Sequence, residues 1–158
     1  MHWKVRRDFL TRVEIFKSLD RGDIKAVAQS CSESTYPNGT YLCRQGEKGV
    51  AAFLVVSGEV QVISETDSGP LLLAILGQGT IVGELSIIDG AERVASIRAQ
   101  GDVMALVLTA WSMQGLIRSR PSIAAAMLPI IVKRFRETTA ELRQQQNDSA
   151  HSRESTFN

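Results

Sequence analysis

The chain has few of the residues that build metal centres and disulfide frameworks. It contains two cysteines and two histidines among 158 residues, and the histidines, His2 and His151, lie near opposite ends. Cys31 and Cys43 show no metal-ligand spacing and suit a reducing compartment, in which thiols stay free. We therefore expect no metal site, and no hydrolytic chemistry that depends on metal ions.

Long apolar runs and an excess of one charge are also missing. No run approaches the roughly 20 apolar residues of a membrane-spanning helix, and the charged N-terminus is unlike a signal peptide. The 18 basic and 17 acidic residues give a net charge of +1. The sequence therefore lacks the excess of positive charge that is typical of proteins that bind nucleic acid or a membrane surface. The composition predicts a cytoplasmic globular protein that binds no membrane and makes no direct DNA contact.

Motifs for phosphate transfer and nucleophilic catalysis are absent as well. The sequence has no Gly-x-x-x-x-Gly-Lys-Ser/Thr loop, which ATP-hydrolysing proteins use to hold phosphates. No nucleophile is accompanied by a recognisable base. These absences favour a binding module over an enzyme.

Three patterns follow one another along the chain. Apolar residues at helical spacing predict a helical segment over residues 1–32, with Ser18 or Asp20 as a cap. Short apolar strands and turns, roughly eight strands in all, occupy 33–108. Helices return over 109–145, and the polar stretch 146–158 is expected to be a disordered tail.

This arrangement predicts an α+β fold in which many short strands form a small sandwich or jelly roll. Thr109 can cap the first C-terminal helix. Pro121 stands where a longer helix begins, and we expect that helix to run to about Gln145. Pro129 lies inside it, so we expect a kink.

The most informative stretch is 81–98, where a short helical turn interrupts the strands. A helix start offers unpaired N–H groups to an anion, and Gly83 permits close approach of the backbone. Arg93 offers a planar fork for two phosphate oxygens. Glu84, nine residues earlier, can accept a hydrogen bond from a sugar hydroxyl. The alternative is a plain connecting turn, but the spacing, Gly83 and the flanking strands favour an anion site.

This stretch resembles the phosphate-binding cassette of the cyclic nucleotide-binding domain family. The match comprises Gly83-Glu84-Leu85, then Arg93, then Ala95-Ser96. The resemblance implies a double-stranded β-helix (jelly-roll) barrel over 33–108, with the cassette at 81–98, flanking helices and a long C-terminal helix. One departure is at Val50 and Ala51, where the family usually has an acidic and a small polar residue.

The resemblance also implies a cyclic nucleotide as ligand. cAMP is the first choice, and cGMP or another cyclic nucleotide is the alternative. Glu84 would accept from the ribose 2′-hydroxyl, and Arg93 would pair with the cyclic phosphate. A hydroxyl after the arginine is associated with guanine binding, and Val94 has none, which favours cAMP. The ligand-binding residues implied are Gly83, Glu84, Leu85, Ser86, Arg93, Val94, Ala95, Thr138 and Thr139.

The C-terminal helix carries a second pattern. Six residues at alternating spacings of four and three are typical of a two-stranded coiled-coil seam: Ala124, Leu128, Ile131, Phe135, Thr138 and Leu142. We therefore expect a homodimer through this helix, although the same face could pack on its own barrel. By the resemblance, Thr138 and Thr139 would contact the adenine, one from each subunit. The alternative is two ordinary threonines on a helix surface.

Three functions remain open. The first is a cyclic nucleotide sensor in which ligand moves the C-terminal helix against an effector protein of unknown identity. The second is the sensor half of a catabolite-activator-like transcription regulator that lacks its DNA-binding domain. The third is a degenerate scaffold that only dimerises, and an enzyme is a distant fourth.

Overall fold

The computed structural model describes residues 1–154, and side chains up to residue 152. Helix α1 (Trp3–Leu10), a 3₁₀ turn (Glu14–Phe16) and helix α2 (Arg21–Ser30) come first. The Asp20 carboxylate caps α2 by accepting a hydrogen bond from the Asp23 backbone N–H at 2.7 Å. The cap at Asp20 is therefore confirmed.

The strands form one open antiparallel sheet with flanking helices. The neighbour order is β1-β6-β3-β4, while β2 pairs with β6 and β5 pairs with β3. The α+β content is as expected, but a closed jelly-roll barrel is not confirmed because the order of the sheet does not close on itself. The six strands are β1 (Ser32–Tyr36), β2 (Tyr41–Cys43), β3 (Ala51–Thr66), β4 (Gly69–Leu76), β5 (Ile81–Val82) and β6 (Ser96–Thr109).

The estimate of about eight strands was wrong because two of its breaks do not occur. β3 continues through the turn-like residues Ser57-Gly58-Glu59, where its register against β6 shifts, and β6 continues through Gln100-Gly101-Asp102. Gly58 adopts a φ of +84°, and a Cβ there would lie 2.3 Å from the Asp102 carbonyl oxygen. The glycine therefore marks a bulge inside one strand, which sequence patterns do not separate from a turn.

Apolar residues pack on both faces of the sheet. Alternation along β3 sends Ala52 and Leu54 to one core, with the helices, and Phe53 and Val55 to a second core within the strands. Burial on both sides explains why residues 51–55 read as an unbroken apolar run. Val82 of the second core directly precedes Gly83 and the short helix α3 (Glu84–Asp89), whose Ile87 packs in the first core.

The C-terminal part consists of α4 (Ala110–Ser119) and α5 (Pro121–Glu154). The Thr109 hydroxyl caps α4 by accepting from the Ser112 N–H at 3.1 Å, as predicted. α5 continues through Pro129, and the expected kink there stays a prediction.

The disordered tail and the helix end at Gln145 were wrong for residues 146–154, which continue α5. The segment contains weak helix formers such as Asn147, Asp148 and Ser149, so intrinsic propensity does not explain why it stays helical. Side-chain hydrogen bonds four residues apart, such as that from Gln144 to Asp148 at 2.9 Å, add support. The remainder of the predicted tail, 155–158, lies outside the described residues.

A buried carboxylate fixes the start of α5. Asp23 is 2% exposed, and its carboxylate accepts from the Arg120 guanidinium at 2.9 Å and from the Ser122 hydroxyl at 2.5 Å. The hydrogen bond from Ser122 and the charge of Arg120 hold the pKa of Asp23 below its ordinary value, against the opposing effect of burial. α2 is thereby tied to the junction of α4 and α5.

No single helix within residues 1–154 has both the length and the apolar character to cross a membrane. Only α4 taken together with residues 121–152 reaches that length and composition, and these two helices are bent at 113° to each other.

Candidate functional site

Seven of the nine predicted ligand residues line a single cavity of about 250 Å³. It lies between β5, α3 and the loop that leads into β6. Leu85 and Val94, at 54% and 86% exposure, mark its open side. The lining residues are Cys43, Val62, Leu76, Ile81, Val82, Gly83, Glu84, Leu85, Ser86, Arg93, Val94, Ala95 and Ile97.

Gly83 sets the shape of the cassette. It precedes α3 with a φ of +79°, a left-handed conformation that other residues adopt at a cost. A Cβ at this position would lie 2.3 Å from Nη1 of Arg93. The glycine therefore provides both the turn and the space in which the Arg93 guanidinium lies.

Arg93 is a buried cation without an anionic partner in the described part of the chain. It is 5% exposed, and its Nη1 and Nη2 donate to the carbonyl oxygens of Gly83, at 3.1 Å, and Ala51. Its Nε has no hydrogen-bond partner, and no carboxylate of residues 1–152 lies within ion-pair distance. A buried charge without a counter-charge is costly, so an anion in the cavity would be stabilised here.

Neighbouring turns hold Arg93 and α3 in place. The Arg93 N–H donates to the Glu47 carbonyl at 2.8 Å, and the Gly46 N–H donates to the Arg93 carbonyl at 2.9 Å. Gly49 packs so closely on α3 that a Cβ there would lie 2.0 Å from the Ser86 Cβ. Contacts with the turn at residues 46–49 therefore fix the cassette, although that turn is far from it in sequence.

Glu84 has a partner that the sequence analysis missed. Its Oε1 accepts a hydrogen bond from Nη1 of Arg134 at 2.7 Å, and the two side chains are 15% and 30% exposed. Arg134 also lies 3.8 Å from the Glu14 carboxylate. Arg134 stands four residues before Thr138 and therefore lies on the same face of the helix. This spacing is the sequence feature that could have placed Arg134 beside the cassette.

A second concavity of about 390 Å³ lies between α3 and α5 and shares Glu84 and Leu85 with the cavity. Ile131, Arg134, Phe135 and Thr138 form its α5 side. We call this concavity the α5 groove. The cassette and the helix of the predicted site thus meet at Glu84 and Leu85.

The two predicted threonines differ in position. Thr138 lines the α5 groove, whereas Thr139 is not among the residues that line it or the cavity. The Thr138 and Thr139 hydroxyls donate to the carbonyl oxygens of Arg134 and Phe135, at 3.0 and 2.9 Å. The structure therefore brings Thr138 to the cassette but does not bring Thr139 there.

Cys43 is a further lining residue that the sequence analysis did not assign to the site. It ends β2 and is 7% exposed. Burial raises the pKa of its thiol, and the Arg93 guanidinium opposes that shift. Across residues 1–152, no three His, Cys, Asp or Glu side chains converge as metal ligands.

Comparison with known proteins places this geometry in context. A family model described as "Cyclic nucleotide-binding domain" matches residues 33–120. The chain is 28% identical over 136 residues to a CRP-like cAMP-activated global transcriptional regulator of Mycobacterium tuberculosis, with 85% of this chain and 61% of the relative covered. It is 33% identical over 129 residues to the cyclic AMP receptor protein of Thermus thermophilus, with 81% and 60% covered. The chain thus spans about three fifths of the length of these relatives.

The fold is also similar to solved structures. The N-terminal domain of a transcriptional regulator from Streptomyces coelicolor A3(2) is 31% identical and superposes with a TM-score of 0.73. That comparison covers 83% of this chain and 94% of the other.

Proposed function

The chain belongs to the cyclic nucleotide-binding domain family, and on that basis we propose that its cavity binds a 3′,5′-cyclic nucleotide, with cAMP as the preferred ligand. The observation that carries this proposal is Arg93, a buried guanidinium without an anionic partner on the cavity wall. A cyclic phosphate supplies one negative charge and two oxygens to such a fork.

The cassette residues would share the phosphate and the sugar. Arg93 binds the cyclic phosphate, and the backbone at Val94 and Ala95 supports it from the same wall of the cavity. Glu84 accepts from the ribose 2′-hydroxyl through its second carboxylate oxygen, because Arg134 donates a hydrogen bond to the first, Oε1. Gly83 and Leu85 contribute backbone groups, and Ser86 a backbone N–H or its hydroxyl.

The base would extend toward the α5 groove. Leu85 and Phe135 offer apolar surface there, and Thr138 offers a hydroxyl. Val94 supplies no hydroxyl for a guanine, which is the reason to place cAMP before cGMP. We assign Thr139 to a base bound in a second copy of the chain, because it does not line the groove of its own copy.

The homodimer required by that assignment would form through α5. Ile123, Met127 and Ile130 are buried in the protein's own core, whereas Leu128, Phe135 and Leu142 are 61%, 73% and 56% exposed. Gel filtration with Leu142→Glu and, as control, Glu141→Gln tests this interface. We expect the first variant to shift toward the monomer and the second to elute as the parent. A parent protein that is monomeric at every concentration would contradict the dimer.

Ligand binding would act as a signal through α5. In this structure α5 is joined to the cassette by the Arg134–Glu84 ion pair. A nucleotide that binds Glu84 and Arg93 together favours the arrangement that places α5 over the base, and an effector protein would recognise that arrangement. The shift between arrangements is limited by the difference in ligand affinity between them.

The sensor half of a larger transcription regulator is the second candidate. It is favoured by the 61% coverage of the mycobacterial regulator and the 94% coverage of the Streptomyces N-terminal domain. The length of the complete gene tests it, because a DNA-binding segment would have to follow α5.

Thermal shift and calorimetry with cAMP, cGMP, a cyclic dinucleotide and linear 5′-AMP test the ligand. At about 100 times Kd, cAMP should stabilise the fold by about 2.7 kcal/mol, a rise in Tm of several degrees. Linear 5′-AMP is the matched control for the cyclic phosphate. Absence of heat and of any shift with every nucleotide would leave the dimerisation scaffold, and appearance of AMP from cAMP would indicate an enzyme.

A further inference from the structure

Positive charge is concentrated in the first two helices of the chain. Residues 1–30 carry seven basic and four acidic residues, whereas residues 31–158 carry 11 basic and 13 acidic ones. The N-terminal segment therefore has a formal charge of +3 and the remainder a charge of −2. The near-neutral composition of the whole chain conceals this asymmetry.

Most of these basic side chains have no counter-charge in the described part of the chain. Within residues 1–152, five of the seven form no ion pair, and all five are exposed. The four acidic side chains of the segment are already engaged, three in ion pairs and Asp20 in the cap of α2. The five cations are Lys4, Arg12, Lys17, Arg21 and Lys25.

A groove between α1 and α2 lies beside two arginines. It has a volume of about 300 Å³ and is lined by Arg7, Asp8, Thr11, Arg21 and Ile24. Nε and Nη2 of Arg7 donate to Oδ1 of Asp8 at 3.0 and 2.7 Å, so Arg7 and Asp8 neutralise each other. Arg21 has no such partner. We call this concavity the α1–α2 groove.

An aromatic ring joins further cations to the groove. The Arg7 guanidinium lies 5.8 Å and the Lys25 ammonium 5.3 Å from the centre of the Trp3 ring. Lys25 follows Arg21 by one turn of α2, and Lys4 precedes Arg7 by one turn of α1. Each side of the groove therefore carries two cations one turn apart.

We propose that the α1–α2 groove is a docking site for an acidic segment of a partner protein, whose carboxylates pair with Arg21 and Lys25. The complementary charge of such a segment is the argument for this occupant. Binding of an acidic segment stands on the groove alone. Only the identification of its owner with the effector protein rests on the proposed function.

The dimensions and the apolar residues of the groove favour a peptide over a membrane or a nucleic acid. Helices of 8 and 10 residues are about 12 and 15 Å long, which corresponds to about four residues of an extended segment. DNA-binding modules bury roughly 600–1,000 Å² of surface, more than a groove of this length offers. Insertion into a bilayer needs an exposed apolar face, whereas Leu10 is buried and Trp3 and Phe9 are half-buried.

Fluorescence anisotropy with fluorescein-labelled hexaglutamate tests the groove. We expect the parent protein to bind this peptide at low salt and to release it as the salt concentration rises, because exposed ion pairs are screened. The double variant Arg21→Glu/Lys25→Glu should bind at least about tenfold more weakly, since like charges then face each other. Arg21 is the first residue of α2, where the helix dipole favours a negative charge, so this variant should fold.

Arg136→Glu/Arg143→Glu is the matched control. It changes the net charge by the same amount at two exposed arginines of α5 that do not line the groove. We expect the control to bind hexaglutamate as the parent does. No binding by the parent, or equal loss in the two double variants, would overturn the proposal.

Trp3 provides a second readout that needs no charge reversal. The chain has two tryptophans, so Trp111→Phe leaves Trp3 as the only one, and Trp111 is 85% exposed on α4 and does not line the groove. Unlabelled hexaglutamate should shift the Trp3 emission, because a carboxylate that pairs with Lys25 draws the ammonium away from the ring. Hexalysine is the matched peptide and should leave the emission unchanged. Unchanged emission at saturating hexaglutamate would show that the peptide does not occupy the groove.

Two other polyanions test the class of partner. We expect phosphatidylglycerol vesicles and a single-stranded DNA hexanucleotide to bind the parent no more tightly than hexaglutamate at the same salt concentration. If either binds more tightly and loses that affinity in Arg21→Glu/Lys25→Glu, the groove serves a lipid surface or a nucleic acid, and the assignment to a protein segment is wrong.

Calorimetry with cAMP separates this inference from the proposed function. Arg21 and Lys25 line neither the cavity nor the α5 groove, so Arg21→Glu/Lys25→Glu should bind cAMP with the affinity of the parent. A parent protein that binds cAMP but not hexaglutamate refutes the docking site and leaves the proposed function intact. A parent protein that binds hexaglutamate through the groove but no cyclic nucleotide refutes the proposed function, and the docking site stands.

Discussion

The cassette and the outer segment of α5 (residues 134–154) supply the two sides of the proposed site, and the chain holds them by different means. In the cassette, Arg93 is bound at both its backbone and its guanidinium to carbonyl and N–H groups of neighbouring turns. The outer segment of α5 presents exposed apolar residues, including Phe135 and Leu142. Its link to the cassette is the half-exposed ion pair of Arg134 with Glu84.

This difference suggests which side can respond to ligand. The four hydrogen bonds of Arg93 resist change, because breaking those of its buried guanidinium leaves polar groups unpaired. A partly exposed ion pair contributes about 1 kcal/mol or less, so the outer segment of α5 can shift at small cost. We infer that the cassette binds the ligand and that α5 shifts in response to binding. The substitutions below test each side.

The largest effect is expected for Arg93→Ala. Loss of the buried guanidinium removes the partner of the cyclic phosphate, so cAMP affinity should fall by about 2–5 kcal/mol, roughly 30- to 5,000-fold. Calorimetry measures the change. Arg98→Ala is the matched control, because Arg98 donates to the Gln61 side chain at 2.8 Å and does not line the cavity. Unchanged affinity in Arg93→Ala would refute the assignment of the phosphate site.

The next effect concerns the anchor of α5. Asp23→Asn should lower the free energy of unfolding at neutral pH by about 1–3 kcal/mol, since hydrogen bonds to a buried carboxylate are lost. The folded pKa of Asp23 is lowered from 3.8, so its contribution is present above that pH and disappears as pH falls through the folded value. Urea unfolding from pH 7 downward should therefore show the two proteins converging in acid. A constant difference at every pH would contradict the role of the Asp23 charge, and Asp8→Asn, at the surface, is the control.

Gly83→Ala should affect the cassette in two ways. A side chain at φ +79° costs about 1–2 kcal/mol of stability, and its Cβ would displace the Arg93 guanidinium, which weakens cAMP binding. Gly90→Ala is the matched control, because Gly90 has a similar φ of +74° but no atom within 4 Å of an added Cβ. We expect both variants to lose stability in urea and only Gly83→Ala to lose affinity. Equal affinity of the two would show that the space beside Arg93 is not needed.

The cassette could be predicted from sequence because its signals are local. Gly83, Glu84 and Arg93 lie within eleven residues, and a turn at Gly83, a short helix and an arginine follow from residue types at fixed spacing. The caps at Asp20 and Thr109 were predictable for the same reason. Local chemistry sets these features, so the sequence pattern is sufficient.

The position of α5 and the course of the sheet could not be predicted in the same way. The Arg134–Glu84 and Arg120–Asp23 pairs join residues 50 and 97 positions apart, and no local pattern selects one partner among 35 charged residues. The bulge at Gly58 depends on the opposing strand at Asp102. These features are set by tertiary contacts.

The smallest effect is expected for Arg134→Ala, which separates the two sides of the site. Without the hydrogen bond to Glu84, α5 is less firmly held over the cavity, so Phe135 and Thr138 contribute less to binding of the base. A half-exposed pair of this kind contributes about 0.5–1 kcal/mol, so calorimetry should show cAMP affinity about two- to fivefold weaker. Lys133→Ala is the matched control, because Lys133 lies 3.6 Å from Glu14 and 3.7 Å from Glu137 and forms no ion pair with Glu84. Tighter binding in Arg134→Ala would mean that Arg134 competes with the ribose for Glu84, and α5 would then restrain the empty cassette instead of completing the occupied one.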